Sequence, residues 1–420
     1  VPVTVTVRVG ESVSIAIGQT GTERDSVGSW KGSLMGEAAK ATGPLSGVRV
    51  VELAGIGPGP FAAMLLADLG AEVIRVDRPS GGATLPPAKD MTNRGKRSVA
   101  VDLKSEQGKE VVLRMVEQAD VLLEGFRPGV TERLGLGPDE CQARNPRLVY
   151  GRMTGWGQQG TLSRSAGHDI AYIAMTGALH AIGRAGGPPQ VPVNLLGDFA
   201  GGSMYLVVGV LAALLEARTS GKGQVVDAAI VDGTSHLSTF VHAFLAAGAW
   251  QDQRGVNMLD TGAPWYDVYE TADGKHMAVG AIEPQFYAEL LRLLGLDGED
   301  DLPAQLEAGR WAQLRERFAT AFKARTRDEW AEIFMPGDSC VAPVLSLQEA
   351  TEHPYNTERQ VFVRGEDGEL QPAPAPRFSR TPGAIGGPPA TPGAHTREVL
   401  AELGFTDVED LLGSGAVVQH

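Results

Sequence analysis

The chain has 420 residues, and 37 Lys plus Arg against 51 Asp plus Glu give a formal net charge of −14 at pH 7. That balance excludes broad binding to nucleic-acid backbones, which needs a basic face, yet leaves room for a local basic pocket holding a phosphorylated small molecule. With 43% hydrophobic and 21% charged residues, the composition is that of a globular protein of two or three domains with a sizeable core.

Residues 1–43 read as an N-terminal extension. Stretches 1–9 and 12–17 alternate at period two, a weak strand pattern, and 18–42 is polar and Gly/Ser-rich; disorder is expected of the extension 1–43 as a whole. The basic start and unbroken apolar run of a signal peptide are missing, and Met35 offers an alternative start behind which the extension would be non-catalytic. Next come an apolar strand at 48–53, the turn Ala54-Gly55-Ile56-Gly57-Pro58-Gly59-Pro60, a helix at 61–69 ended by Gly70, and a strand at 72–77. This is one βαβ unit, hence parallel strands. Further strands are predicted at 99–103, 120–123 and 147–150, with Ser105 capping a helix that runs to Val116. A long Gly-rich loop through Gly155, Gly157, Gly160 and Gly167 follows. The apolar run 204–215 stops at Glu216 and Arg218, is too short to span a bilayer, and reads as a buried helix before a strand at 225–230. From Gly262 a second module begins with a hairpin around Ala272-Asp273-Gly274 and helices at 286–294 and 311–322. The Pro-rich stretch 371–392 suits an extended surface crossing, and 396–403 a last helix.

The first βαβ unit copies the outline of a dinucleotide-binding fingerprint, with Asp77 at the distance of a ribose-binding acid. Pro60 occupies the third glycine position and supplies no N–H for a pyrophosphate, which argues against that reading. Basic residues gather in the same third of the chain: Arg75, Arg78, Arg94, Lys96, Arg97, Lys104, Arg127 and Arg133. Each could be solvated surface charge; as a group at the ends of parallel strands they could receive phosphates.

Three acids and a histidine stand in contexts suited to proton chemistry. His168 and Asp169 follow Gly167 and open an apolar stretch, where a helix start offers free N–H groups to an oxyanion. Asp198 lies in the largely apolar Leu195-Leu196-Gly197-Asp198-Phe199, and Glu283 precedes Pro284. All three acids can equally be helix caps, and His168 a loop histidine bonded to a carbonyl. No metal-ligand spacing appears: the eight histidines are scattered along the chain. Cys141 and Cys340 are too few for a disulfide framework and fit a reducing, cytoplasmic setting.

Long runs carry a resemblance. The segments "GPLSGVRVVELAGIGPGPFAAMLLADLGAEVIRVDRP", "EGFRPGVTERLGLGP", "GHDIAYIAMTGALHAIG", "NLLGDFAGGSM" and "GAPWYDVYETADGKHMAVGAIEPQFY" resemble the α-methylacyl-CoA racemases of the family III CoA-transferase superfamily, from about Gly43 to the C-terminus. The resemblance implies an α/β fold: a Rossmann-like large domain over 44–232, a connecting helical segment at 233–261, a smaller α+β domain at 262–352 and a return segment at 353–420, assembled as an interlocked homodimer. It implies His168 and Asp198 as a two-base pair. Glu283 from the partner subunit would orient the histidine, and the backbone at Asp169 would face the thioester oxygen. Arg78, Lys104, Arg127, Arg133 and Tyr172 would contact CoA, which belongs to the substrate, so that no cofactor or metal is expected.

The implied reaction is racemisation of 2-methylacyl-CoA thioesters through an enolate. The alternative is CoA transfer with Asp169 as nucleophile. In such relatives a tyrosine commonly stands where His168 does, and a glycine run replaces "DTGAPWYD". Two readings from other classes, a nicotinamide oxidoreductase and a non-catalytic CoA-binding module, are weaker.

Overall fold

A computed structural model describes residues 3–9, 11–17, 43–81 and 85–420, the first two stretches as backbone. The strands Val3–Val9 and Glu11–Ile17 pair antiparallel, following the period-two alternation. The polar part of the extension, 18–42, lies outside the described residues.

Apolar runs that are buried on both faces form a parallel sheet, because alternate residues must find partners above and below. In the larger compact unit (described residues 43–176, Val193–Leu237 and His353–His420) seven strands stand in the order Val417–Val418, Lys96–Val101, Glu72–Asp77, Arg49–Leu53, Val121–Glu124, Val149–Thr154, Val225–Ala229. All neighbours are parallel except the C-terminal edge strand. Val51, Ile74, Val99 and Leu122 face one way and pack on the helix Glu106–Val116. Val50, Val73, Val121 and Val149 face the other way, toward the helices Pro58–Asp68 and Met204–Ser220. Ser105 caps the first of these helices as expected, its hydroxyl accepting from the Gly108 N–H at 2.9 Å. The Pro-rich return segment crosses back over this unit: Asp68 accepts from the Ala384 N–H and Gly387 from the Gly95 N–H.

The apolar helix near Asp198 departs from expectation. It does not stop at 204–215: a wide turn, Leu195–Ser203, runs straight into Met204–Ser220. Its closing bond joins the Met204 N–H to the Phe199 carbonyl, five residues back. The resulting 26-residue span, within which an 18-residue window reaches a mean hydropathy of 1.7, is long and apolar enough to cross a membrane by length and composition. Gly197, Gly201 and Gly202 broke the sequence pattern without breaking the helix. Nor is the helix buried all round. Leu206, Val207, Val210, Ala213 and Ala217 face the sheet, while Val208 and Leu215 are exposed.

The smaller unit (Gly177–Pro192 and Ser238–Glu352) is α+β. Its antiparallel sheet has the order Val341–Pro343, His276–Gly280, Tyr266–Glu270, with the predicted hairpin in register around Ala278 and Val268. The helices Pro284–Leu294, Trp311–Phe322 and Arg327–Phe334 close over an aromatic core that includes Trp265, Tyr269, Phe318, Phe322 and Trp330. Ion pairing of Arg184 with Asp267 at 2.7 Å binds the 177–192 segment into this unit.

Candidate active site

From the central strand Arg49–Leu53 the chain winds outward one way through Glu72–Asp77 and Lys96–Val101, then returns to place Val121–Glu124 on the other side. Where winding reverses, the loops leaving two adjacent parallel strands part and open a crevice at their carboxyl ends. A cleft of about 350 Å³ lies there, lined by residues 52–60 after the first strand, 123–128 after the second and 153–156 after the third, with Gly167, His168, Tyr172 and Asp198.

His168 and Asp169 sit at a helix start, as the sequence suggests, with one correction. The cap residue of Asp169–Met175 is His168, whose carbonyl accepts from the Ala171 N–H at 2.8 Å; Asp169 is the first helical residue. The imidazole is exposed and lines the cleft, whereas Asp169 is buried. Asp198 is not a cap either: it lies inside the wide turn. Its backbone N–H donates to Asp169 Oδ2 at 2.7 Å, and its own Oδ2 accepts from Asn194 Nδ2 at 3.2 Å. Burial pushes the Asp198 carboxyl above the ordinary aspartate range. The Asn194 hydrogen bond opposes that, the Asp169 charge adds to it, and an imidazolium at His168 opposes it again. Tyr172 packs edge-on against Trp156, ring centroids 4.8 Å apart. Burial raises its phenol, as does the charge of Asp198, while Arg127 acts the other way. Two glycines of the predicted loop make this seat possible, since a Cβ on Gly155 or Gly167 would fall 2.0 or 2.6 Å from the Tyr172 ring.

The basic group divides. Arg75, Arg94, Lys96 and Arg97 serve the fold: Arg75 pairs with Asp77 at 2.6 Å, Arg94 with Asp68 at 2.5 Å, and Arg97 with Glu72, Glu398 and Glu402. Arg78, Lys104, Arg127 and Arg133 are exposed. The first three directly follow the strands Glu72–Asp77, Lys96–Val101 and Val121–Glu124, along the edge where the cleft opens, and Arg127 lines it. Glu283 belongs to the smaller unit. It stands at the N-cap of Pro284–Leu294 and caps through its carbonyl, which accepts from the Tyr287 N–H at 2.9 Å, so its carboxylate makes no cap bond.

One contributor escapes sequence reasoning, and another, Lys96, has a role other than the phosphate contact expected of its group. Asn194 was not distinguishable from other loop polar residues. Lys96, fully buried, donates to Glu52 Oε2 at 2.7 Å and to the Pro60 carbonyl at 2.9 Å, tying the cleft-lining turn to the sheet. Burial lowers its pKa against the pull of Glu52. Glu52 beside the apolar pair Val50-Val51, and Lys96 at the head of the strand Lys96–Val101, were the available signal. Among the described residues no cluster of His, Cys, Asp and Glu could hold a metal ion.

Comparison with known proteins matches residues 45–396 to CoA-transferase family III. The chain is 50% identical over 378 residues to the alpha-methylacyl-CoA racemase of Mus musculus, covering 89% of this chain and 97% of that protein. It is 48% identical over 367 residues to the alpha-methylacyl-CoA racemase of Homo sapiens, covering 87% and 94%. Among solved structures, a CAIB/BAIF family protein from Brucella suis superposes with a TM-score of 0.75 at 27% identity, over 86% of this chain and 99% of that one.

Proposed function

The chain belongs to CoA-transferase family III, and from that premise we propose that it is a racemase interconverting (2R)- and (2S)-2-methylacyl-CoA thioesters. The observation that carries this reading is one cleft onto which both the His168 imidazole and the Asp198 carboxylate open. The C2 proton of a thioester is weakly acidic, and its removal leaves an enolate with charge on the thioester oxygen. N–H groups at the start of the Asp169–Met175 helix hold that oxygen, an interaction whose loss costs about 3–4 kcal/mol of barrier. One base removes the proton and the other returns one to the opposite face, so configuration is lost without change of oxidation state. An aspartate raised toward the histidine range is suited to exchange roles with it.

The CoA phosphates meet Arg78, Lys104, Arg127 and Arg133, and Tyr172 lies along the bound thioester. A second copy of the chain completes the site with its own Glu283, which orients the His168 imidazole. The exposed apolar face at Met204, Val208 and Leu215, and the exposed Phe240 and Leu245, are surfaces that such a homodimer would cover. A CoA transferase would instead need Asp169 as a free nucleophile. Here that carboxylate is buried and spends one oxygen on the Asp198 amide, which favours racemisation.

His168→Ala and Asp198→Ala test the assignment. Each is expected to lower racemisation by roughly 10²–10⁴-fold while acyl-CoA still binds by calorimetry. Full turnover in either variant would contradict it.

A further inference from the structure

We infer that the carboxylate of Asp169 is a positioning residue for Asp198, fixing the wide turn that carries this base. The inference rests on the racemase reading above and assigns the side chain a task apart from the backbone N–H at the same position.

The turn Leu195–Ser203 begins without help. Asn194, at its N-cap, makes no side-chain cap bond, and the first four N–H groups of any helix lack an acceptor in their own chain segment. The fourth of these is the Asp198 N–H. Its acceptor comes from 29 residues earlier, as Asp169 Oδ2 at 2.7 Å. Asp169 is 5% exposed, and its Oδ1 is buried with no hydrogen-bond partner. A Cβ on Gly197 would sit 2.4 Å from Asp169 Oδ2, so the residue before the base must be glycine for the carboxylate to reach the amide. Asp169 therefore acts as a remote cap. It places a negative charge beside Asp198, which favours retention of the Asp198 proton.

Other groups around the turn do not duplicate that charge. Asn194 and His168 act in the opposite sense on Asp198. The neighbouring helix Ile230–Leu237 carries Asp232 and His236, the latter bonded to the Tyr205 hydroxyl at 2.7 Å. The helix Pro58–Asp68 carries only Asp68, paired with Arg94. Glu216 and Arg218 lie at the far end of Met204–Ser220. Of the adjoining strands, one holds Arg152, paired with Glu124 and Glu132, and the other Asp227, which accepts from the Gln158 N–H.

Asp169→Asn keeps an oxygen for the Asp198 N–H and removes the charge; Asp169→Ala removes both. C2 proton exchange by the full-length enzyme is measured across pH, and amide hydrogen exchange of the 195–203 segment is followed by mass spectrometry. The Asn variant is expected to retain amide protection, to lose part of its exchange rate, and to show the acidic limb of kcat moved to lower pH. The Ala variant is expected to lose protection in that segment and roughly 10- to 100-fold in rate. An Asn variant whose acidic limb coincides with the wild type, or an Ala variant with full protection at 195–203, would overturn the inference. The amide readout stands whether or not the wild type racemises. A wild-type enzyme without C2 exchange contradicts the racemase reading alone.

Discussion

Asp198 carries its charge at a cost to the fold. Burial is the main cause of its raised pKa, with Asp169 adding to it, so ionising it is harder in the folded chain than in the unfolded one. The sign follows from linkage: the penalty is absent below the unfolded pKa of about 3.9, grows as pH rises through the folded value, and is complete above it. Asp198→Asn is isosteric and can still accept from Asn194. It is therefore expected to raise the thermal midpoint at neutral pH, to lose that advantage in acid, and to lose racemisation. Scanning calorimetry at pH 7 and below pH 4 checks this; a lowered midpoint at pH 7 would contradict the assigned burial. At the same scale, the His168-Asp169 pair shows where local reading stops. Either residue can cap a helix, and the choice was made by the Asp198 amide, a partner distant in sequence.

The wide turn and the helix it enters depend on glycines that sequence periodicity treats as interruptions. Gly201 and Gly233 meet where two helices cross: a Cβ on Gly233 would lie 1.9 Å from the Gly201 carbonyl oxygen, and one on Gly201 2.4 Å from Thr234 Oγ1. Close backbone approach of this kind admits no side chain. Gly233→Ala is expected to destabilise by about 1–3 kcal/mol, seen as a lower denaturation midpoint, and to raise KM or lower kcat through displacement of the Asp198 turn. An unchanged midpoint would contradict the crossing. Most strands of the parallel sheet, the Ser105-capped helix and the small-unit hairpin were legible beforehand, each an apolar run or alternation bounded by turn residues; the strand expected at 147–150 instead runs Val149–Thr154, and the one expected at 99–103 runs Lys96–Val101. The wide turn was not, because Gly197 and Gly201 look like breakers unless the helix packed on them is known. Position and charge alone do not separate the four exposed cations from Arg75, Arg94, Lys96 and Arg97, since pairing partners such as Asp68 and Glu52 lie far off in sequence; only the family resemblance singled them out.

At the scale of the whole molecule, an acidic chain of net charge −14 places exposed cations after three strands of the sheet, Lys96–Val101, Glu72–Asp77 and Val121–Glu124, the last two separated by Arg49–Leu53, which suits a polyanionic carrier held at one end of the sheet. In the proposed reading, Glu283 and the exposed apolar faces tie function to assembly. If each site takes its glutamate from a second copy, His168→Ala and Glu283→Ala chains are each nearly inactive alone, yet mixed dimers regain activity because one site in each holds both wild-type groups. Activity that stays at the level of the separate variants after dissociation and reassociation would place the glutamate within its own chain. The central claim, enolate chemistry between two bases, is tested most directly in D2O with one enantiomer of a 2-methylacyl-CoA and no acceptor acid. The account predicts deuterium at C2 accompanied by loss of configuration. Absence of both would contradict it, and movement of CoA to an acid added in a second incubation would then assign Asp169 the role of nucleophile.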